Sequence, residues 1–181
     1  ADCQTLIEHK GGLEGLKIVF VGDGNNMVHS WLEAAAIVPF SFILACPKGY
    51  EPDTAIVQRA RAHGAKIAVT HSVEEAVAGA DAIYTDVWTS MGQEKQAQDR
   101  LSAFRAYQVN SQVVAMAKKN AVVMHCLPAH RGEEITDEVL ESSQCVAFDQ
   151  AENRLHAQKA VMVWLVNGSK ASRVKNSTKK S

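Results

Sequence analysis

A regular alternation between short apolar runs and longer segments with helical patterning constrains the fold of this chain more than any other feature. Short apolar runs rich in β-branched residues, closed by glycine, proline or polar residues, are typical of buried strands. Such runs lie at residues 17–21, 41–46, 66–70, 82–85 and 121–124. Helices are predicted at residues 5–10, 27–36, 53–63, 72–78, 94–104, 111–119, 136–141 and 151–166.

The alternation predicts the α/β fold class, with a three-layer α/β/α architecture around a central parallel sheet of about five strands. Parallel neighbours require crossover connections, and the helices in those connections cover both faces of the sheet. No repeat or linker divides the chain, so residues 1–167 are predicted to form one domain. The polar residues 168–181 are predicted to be a disordered tail. The amphipathic start, which has no initiator methionine, indicates a fragment or a processed product.

Composition and charge give no indication of binding to nucleic acid or to a membrane. The formal net charge is −1, and 46% of the residues are hydrophobic, as in soluble globular proteins. No apolar run approaches the roughly 18 residues of a membrane helix. The histidines show no zinc-ligand spacing, so no metal is expected. Free thiols in a reducing compartment are predicted, because no Cys-x-x-Cys spacing occurs among Cys3, Cys46, Cys126 and Cys145.

The decapeptide Thr85–Glu94 follows the fourth apolar run and precedes a helical segment. Ligands of open α/β sheets bind at the carboxyl ends of the strands. The decapeptide carries an acid, hydroxyl groups and a glycine hinge, so it is predicted to be a closing loop that grips a cationic substrate. A solvated strand-to-helix loop without a binding role is the alternative.

Polar residues also follow two other predicted strands. Gly22–Asn26 follows the first strand, where glycine allows a ligand close to the backbone and asparagine both donates and accepts hydrogen bonds. His125–Glu134 follows the fifth strand, and Glu152–Arg154 lies at the predicted start of the last helix. Parallel strands place their carboxyl ends at one edge of a sheet. These residues are therefore predicted to share one site with Asp86 and Ser90.

Taken singly, the same residues have ordinary structural explanations. A lone cysteine such as Cys126 is commonly a small buried apolar residue. A lone histidine such as His125 is commonly structural. A lone arginine such as Arg154 is commonly half of a surface ion pair. Only their meeting at one edge of the sheet argues for a functional site.

A dinucleotide site is the competing interpretation of the first loop. The pair Gly22-x-Gly24 follows a strand, as in the dinucleotide fingerprint, but Met27 stands where the third glycine belongs. The acid expected at the end of the second strand is replaced by Cys46–Lys48. Nucleotide binding is therefore disfavoured.

Several long motifs resemble the ornithine carbamoyltransferase family. They are VGDGNN at 21–26, TDVWTSMGQE at 85–94, YQVN at 107–110, MHCLPAHRGEE at 124–134 and FDQAENRLHAQKA at 148–160. The Ser-Met-Gly segment separates the ornithine enzymes from the aspartate carbamoyltransferases. The runs at 27–33 and 45–50 are similar to plant-type members.

The resemblance implies one half of a two-lobed enzyme. It covers residues 1 to about 167 and matches the second, ornithine-binding lobe, with residues 1–10 as the end of the helix between the lobes. The S-x-R-T motif for carbamoyl phosphate has no match, and the H-P-x-Q motif would precede residue 1. The carbamoyl-phosphate-binding domain is therefore expected to be absent, and the isolated 181-residue chain inactive.

The resemblance also implies a reaction and its setting. Carbamoyl phosphate and L-ornithine give L-citrulline and phosphate, a step of arginine biosynthesis that needs no metal or organic cofactor. The implied partners are those two small molecules, with no nucleic acid and no membrane, and the full-length enzyme is a homotrimer. The implied location is the cytoplasm, or the plastid stroma in a plant or alga.

For ornithine, the resemblance implies four binding residues. Asn26 and the backbone of Met91 hold the carboxylate end of the amino acid. Asp86 and Ser90 hold its α-ammonium group. A zwitterionic ligand needs an anion and hydrogen-bond donors in fixed places, which these groups supply.

For carbamoyl transfer, the resemblance implies three further residues. Cys126 is the catalytic residue beside the attacking amine, and with Leu127 it also contacts carbamoyl phosphate, Leu127 through its backbone. Arg154 reaches carbamoyl phosphate as well. As a partly exposed thiol, Cys126 is expected to react first with an alkylating reagent.

Two other functions stay open at this point. One alternative is an amino-acid-binding lobe without catalytic activity. The other, which rests on the glycine pattern alone, is a nucleotide-binding oxidoreductase. Binding of NAD or NADP would identify the second.

Overall fold

The computed structural model describes residues 1–89 and 97–177, with side chains as far as Asn167. It contains a five-stranded, wholly parallel sheet, as predicted. The strands are β1 (Lys17–Val21), β2 (Ser41–Ala45), β3 (Lys66–Thr70), β4 (Ala82–Thr85) and β5 (Val122–His125). Their order across the sheet is β3-β2-β1-β4-β5. β5 begins and ends one residue later than predicted, and β2 ends one residue earlier.

Helices connect all the strands and follow the last one. They are α1 (Asp2–Lys10), α2 (Asn26–Ala35), α3 (Thr54–Ala62), α4 (Val73–Val77), α5 (Ala97–Phe104), α6 (Ser111–Ala115), α7 (Asp137–Leu140) and α8 (Ala147–Ser177), with a 3-10 turn at Arg105–Tyr107. None of the helices in the described part of the chain combines the length and apolarity needed to cross a bilayer.

The two faces of the sheet are covered by separate hydrophobic cores. In β1, Ile18 and Phe20 face a core shared with α2 and α3, whereas Val19 and Val21 face a core shared with α4, α6 and α7. Successive side chains of a strand point to opposite faces, so a strand buried on both faces is continuously apolar. This arrangement confirms the predicted three layers, and it leaves the strand ends as the place for polar groups.

Side-chain caps start the helices where the sequence predicts them. Asp53 accepts a hydrogen bond from the Ala55 N–H and starts α3. Ser72 accepts from the Glu75 N–H and starts α4. The Glu75 carboxylate does not return to the Ser72 backbone directly. It accepts from the Thr70 hydroxyl, whose oxygen accepts from the Ser72 N–H, so a third residue completes the predicted capping box.

The last helix differs from its prediction at both ends. α8 begins at Ala147 instead of residue 151, because Val146 is buried and its carbonyl accepts from the Gln150 N–H at 2.9 Å. Glu152–Arg154 therefore lies in the second turn of the helix. The helical backbone continues to Ser177, beyond residue 166. The domain end at residue 167 and the disorder of residues 168–181 stay predictions.

Arg100 fastens three loops at the carboxyl edge of the sheet. The guanidinium group is buried and pairs with Asp23, which follows β1. Its Nε donates to the Trp88 carbonyl, which follows β4, at 2.5 Å. It also lies over the rings of Tyr50 and Phe104, with its central carbon 4.9 and 5.2 Å from the ring centroids. A buried cation with this many partners fixes the positions of the loops it touches.

Replacing Arg100 by methionine is expected to lower the free energy of unfolding by about 3–5 kcal/mol. The substitution keeps most of the side-chain volume but leaves the Asp23 carboxylate buried without its cation. Arg59→Met is the matched control, because the Arg59–Glu33 pair is more than half exposed and such pairs contribute about 0–1 kcal/mol. Urea unfolding measures both. Equal losses for the two variants would contradict the assignment.

At the opposite, amino-terminal edge of the sheet, the Asp81 side chain links Lys17 to Lys118. Its carboxylate accepts from the Lys17 N–H at 2.9 Å and from the Lys118 ammonium group at 2.7 Å. Burial alone raises the pKa of Asp81, but the hydrogen bonds from Lys118 and Lys17 outweigh it and hold the pKa below its usual range. A carboxyl group with a lowered pKa stabilises the fold when it is ionised.

The stabilisation from Asp81 is expected to depend on pH. It is fully present above the unfolded-state pKa of about 3.9 and is lost as the pH falls through the lower, folded-state pKa. Asp81→Asn should therefore reduce stability at neutral pH, and the difference from the parent should shrink on acidification below about pH 4. Urea unfolding across this range measures it. Parallel pH curves for the two proteins would show that the Asp81 charge contributes nothing.

Candidate functional site

The carboxyl ends of β1 and β4 lie side by side in the middle of the sheet. Val21 pairs with Thr85 at the end of these strands, and Thr85 pairs in turn with His125 at the end of β5. The chain runs outward from β1 through β2 and β3 on one side, and through β4 and β5 on the other. This reversal of strand order opens a crevice, which is where α/β sheets bind ligands.

Asp86 is the centre of the polar groups in this crevice. Its Oδ1 accepts from the Cys126 thiol at 3.0 Å and from the Val87 N–H at 2.8 Å. Its Oδ2 accepts from the Asn25 side-chain amide at 3.2 Å. Asp86, Asn25 and Cys126 are all half-buried. The structure thus brings together residues from the ends of β1, β4 and β5, as the sequence predicts.

Asn25 holds a fixed orientation because it also starts α2. Its Oδ1 accepts from the Met27 and Val28 N–H groups at 2.9 and 3.3 Å, which leaves its NH2 group directed at Asp86. The family resemblance gives the binding role to the neighbouring Asn26. Asn26 is exposed at the first position of α2, and its contact with ornithine stays a prediction.

Cys126 is a neutral hydrogen-bond donor in this structure. Burial, and then the charge of the Asp86 carboxylate and its hydrogen bond, raise the pKa of the Cys126 thiol well above its usual range. The thiolate is the reactive form of cysteine, so the raised pKa argues against fast alkylation of Cys126, and the order in which the cysteines react stays a prediction. Half-burial beside an anion suppresses the reactivity that exposure alone would suggest.

A buried polar network lies beneath Cys126 and ties α1 and α8 to the sheet. The Tyr84 hydroxyl donates to Asp2 at 3.0 Å and accepts from the Gln150 amide at 2.9 Å. The other end of the Gln150 amide accepts from the His125 N–H at 3.1 Å. Each polar group in this network has a partner, so it adds rigidity under the site without an unsatisfied donor.

His125 determines the path of the chain after β5. The imidazole and the Glu134 carboxylate are both fully buried, and His125 Nε2 lies 2.9 Å from Glu134 Oε1. His125 Nδ1 accepts from the Leu127 N–H at 2.8 Å, which assigns the proton to Nε2. Leu127 has a left-handed backbone, with φ of 54°, and a cis bond to Pro128. Because its N–H is engaged, its carbonyl oxygen is the backbone group that can meet a ligand.

Gly24 serves loop packing and leaves no room for a ligand at its α-carbon. A Cβ atom there would lie 2.4 Å from the Pro52 nitrogen and 2.7 Å from the Tyr50 carbonyl oxygen. The Gly24 N–H donates to that same oxygen at 2.8 Å. The expectation that this glycine lets a ligand approach the backbone is therefore corrected, because the neighbouring loop already occupies the space.

Ser90, Met91 and Arg154 complete the set of residues predicted to bind substrate. Ser90 and Met91 lie outside the described residues. Arg154 is exposed on α8, and its role stays a prediction. Arg131 bridges Asp137 and Glu141 at 2.7 and 2.5 Å.

Two of the residues that build the site, Asn25 and Glu134, lie within segments predicted to share it, whereas no sequence pattern assigns a role to Tyr84 or Gln150. Asn25 had a recognisable pattern, because an asparagine before a helical segment is a preferred N-cap. Tyr84 and Gln150 share a hydrogen bond between residues 66 positions apart in the sequence, which no local pattern identifies. Glu134 lies nine residues from its partner His125. The crevice presents the half-buried Asp86 carboxylate, the Cys126 thiol and the Leu127 carbonyl oxygen, a set of groups suited to an ammonium or amine ligand.

Comparison with known proteins agrees with this geometry. The family model for the aspartate/ornithine carbamoyltransferase Asp/Orn binding domain matches residues 14–165. The chloroplastic ornithine carbamoyltransferase of Pisum sativum is 55% identical over 164 residues, which is 90% of this chain and 44% of the relative. The ornithine carbamoyltransferase of Desulfotalea psychrophila is 55% identical over 163 residues, 90% of this chain and 54% of the relative.

Solved structures show the same similarity. The ornithine carbamoyltransferase of Pyrococcus furiosus has a TM-score of 0.83 at 50% identity, over 89% of this chain and 53% of that structure. The anabolic enzyme of Campylobacter jejuni has a TM-score of 0.86 at 36% identity, over 92% and 57%. The chain thus spans about half the length of the relatives it matches. From the family match, the chain belongs to the aspartate/ornithine carbamoyltransferase family, of which it carries the Asp/Orn-binding domain.

Proposed function

We propose that this chain is the ornithine-binding half of an ornithine carbamoyltransferase. The whole enzyme would transfer the carbamoyl group of carbamoyl phosphate to L-ornithine, giving L-citrulline and phosphate. One observation carries the proposal: Asp86 is held by Asn25 and Cys126 in the crevice between β1 and β4. A nucleotide-binding oxidoreductase has no support from the family match or from the relatives.

Asp86 would bind the α-ammonium group of ornithine. A carboxylate offers about four acceptor positions, and three are used by described residues, so at least one remains for an ammonium proton. Ser90 would assist at the ammonium group. Asn26 and the backbone of Met91 would hold the carboxylate end.

Cys126 and Leu127 would receive the side-chain amine of ornithine. By analogy with lysine, the amine is protonated in water near neutral pH, and partial burial favours the neutral nucleophile. A protonated thiol cannot itself attack the carbamoyl group, so Cys126 would position the amine beside the Leu127 carbonyl oxygen. The neutral amine forms the new C–N bond, the C–O bond to phosphate breaks, and the amine proton passes to the departing phosphate.

Arg154 would stabilise the negative charge of carbamoyl phosphate as the phosphate leaves. Catalysis would then rest on positioning and on charge stabilisation, with no cofactor required. The carbamoyl phosphate site would lie chiefly in the half of the relatives that this chain does not span.

The exposed apolar side chains of α8 suit this division into lobes. Large apolar residues on this helix are more than half exposed: Phe148, Leu155, Val161, Met162, Val163, Trp164, Leu165 and Val166. A surface of this kind marks a contact with another part of a protein. We infer a domain of residues 1–167, with residues 1–10 in the helix towards the other lobe, a homotrimeric enzyme, and a location in the cytoplasm or the plastid stroma.

Asp86→Asn tests the assignment in the enzyme that contains both lobes. The variant keeps the side-chain size but removes the charge that pairs with the α-ammonium group. Losing one partner of a desolvated pair costs about 2–5 kcal/mol, so ornithine affinity should fall by at least about tenfold. Carbamoyl phosphate affinity should barely change. Calorimetric titration with each ligand, together with citrulline formation, measures these effects.

Asp81→Asn is the matched control for that experiment, because Asp81 precedes β4 at the opposite edge of the sheet. It should lower stability and leave ornithine affinity unchanged. Equal losses for both ligands in Asp86→Asn would place Asp86 in the framework of the lobe. Ornithine binding without citrulline formation in the parent enzyme would support the alternative, a catalytically inactive amino-acid-binding lobe.

Asp86→Asn should also make Cys126 more reactive towards iodoacetamide. Loss of the carboxylate removes two causes of the raised thiol pKa. Each unit of decrease in pKa raises the thiolate fraction about tenfold and lowers its nucleophilicity about threefold, a net gain of about threefold. Peptide mapping after brief alkylation measures the rate. Cys145 is the internal reference, since burial and Glu141 raise its pKa without Asp86. An unchanged Cys126 rate would contradict the Asp86–Cys126 contact.

A further inference from the structure

Three potential metal ligands converge in the turn that follows the candidate site. His130, Glu133 and Glu134 each offer one nitrogen or oxygen atom, and these atoms all lie within 4.8 Å of one another. His130 Nδ1 is 3.6 Å from Glu133 Oε2. The sequence predicts no metal, because the histidines show no His-Glu-x-x-His or similar ligand pattern. The fold of the turn brings these three side chains close together.

A second observation, independent of this clustering, points to a ligand. Glu134 is fully buried, and its Oε1 accepts from His125 Nε2 at 2.9 Å and from the His130 N–H at 2.7 Å. Its Oε2 is also buried and has no hydrogen-bond partner among the residues that the structure describes. A buried carboxylate oxygen without a partner is costly. A cation bound by the Glu134 carboxylate together with His130 and Glu133 would offset that cost.

The backbone of the turn is fixed in a way that favours a preformed site. The Gly132 N–H donates to the Ile135 carbonyl, and the Glu133 N–H to the His130 carbonyl, each at 2.9 Å. The Gln108 amide donates to the Gly132 and Glu133 carbonyls at 2.8 and 2.9 Å. For a cation to bind, only the partly exposed side chains of His130 and Glu133 would need to move, because Glu134 is held in place by His125.

We propose that His130, Glu133 and Glu134 bind one divalent transition-metal ion of the zinc class. One imidazole nitrogen and two carboxylate oxygens suit Zn²⁺, Co²⁺ or Ni²⁺ better than Mg²⁺ or Ca²⁺, which prefer oxygen alone. Zinc lies about 2.0–2.2 Å from such atoms, so the donors must approach one another by roughly 1 Å. The ion would hold His130 and Glu133 against Glu134. Because Glu134 contacts His125, the ion would also restrain the segment that carries Cys126 and Leu127.

The test is a titration of the purified, chelator-treated protein with zinc chloride, followed by calorimetry. We expect one equivalent to bind and the melting temperature to rise with it. The double variant His130→Ala/Glu133→Gln should bind zinc at least about tenfold more weakly, since even outer-shell changes cost 10–100-fold. Both substituted side chains are partly exposed, and circular dichroism checks that the variant is folded.

Two controls separate this site from other places where zinc could bind. The variant His156→Ala/Glu152→Gln removes a second exposed histidine–carboxylate pair, 3.7 Å apart, and should bind as the parent does. Cys126→Ser should do the same, and the Co²⁺ spectrum should lack a sulfur-to-cobalt charge-transfer band. The proposal is overturned if no zinc binds, if the His130/Glu133 variant binds zinc undiminished, or if Cys126→Ser abolishes binding.

Discussion

The register of three parallel strands is the constraint on which the candidate site depends. Val21, Thr85 and His125 lie opposite one another at the ends of β1, β4 and β5. The buried Thr85 hydroxyl donates to the Val21 carbonyl at 2.8 Å, which adds a side-chain bond to the backbone ladder at that point. A slip of one residue would turn every side chain of β4 to the opposite face. Apolar burial on both faces of the sheet thus fixes where Asp86 and Cys126 meet.

Polar residues beyond this edge stabilise the local structure and also orient the groups that line the crevice. Asn25 caps α2 with its oxygen and contacts Asp86 with its amide nitrogen. His125 accepts from Leu127 with one nitrogen and faces Glu134 with the other. The Asn25 side chain is oriented by the bonds that cap α2, so its amide nitrogen points to Asp86 without further cost in rotamer freedom. Both nitrogens of the buried His125 are engaged, and they orient the segment that carries Cys126 and Leu127. A substitution at these positions changes local structure and ligand contacts together.

The sequence predicts the sheet well because local patterns determine strands and caps. Four of the five strands begin at the expected residue, and Asp53 and Ser72 start their helices as predicted. The edge at which Asp86 and Cys126 gather also follows from parallel connections alone. The Glu134 partner of His125 and the Gln150 partner of Tyr84 could not be predicted, because each pair joins separate elements through a hydrogen bond. The need for glycine at position 24 could not be predicted either, because the atoms that a Cβ would meet there belong to the neighbouring loop at Tyr50–Pro52.

A thiol at position 126 has a physical advantage over a hydroxyl beside Asp86. A serine hydroxyl would donate a strong, charge-assisted hydrogen bond to the carboxylate and would compete with an incoming ammonium group. The S–H of Cys126 is a weak donor, so its 3.0 Å contact can be displaced at little cost. The thiol contact orients Asp86, and it would compete only weakly with an ammonium group at the proposed site. Its raised pKa prevents a second negative charge from forming in the crevice, which would hold the amine of a substrate in its unreactive, protonated form.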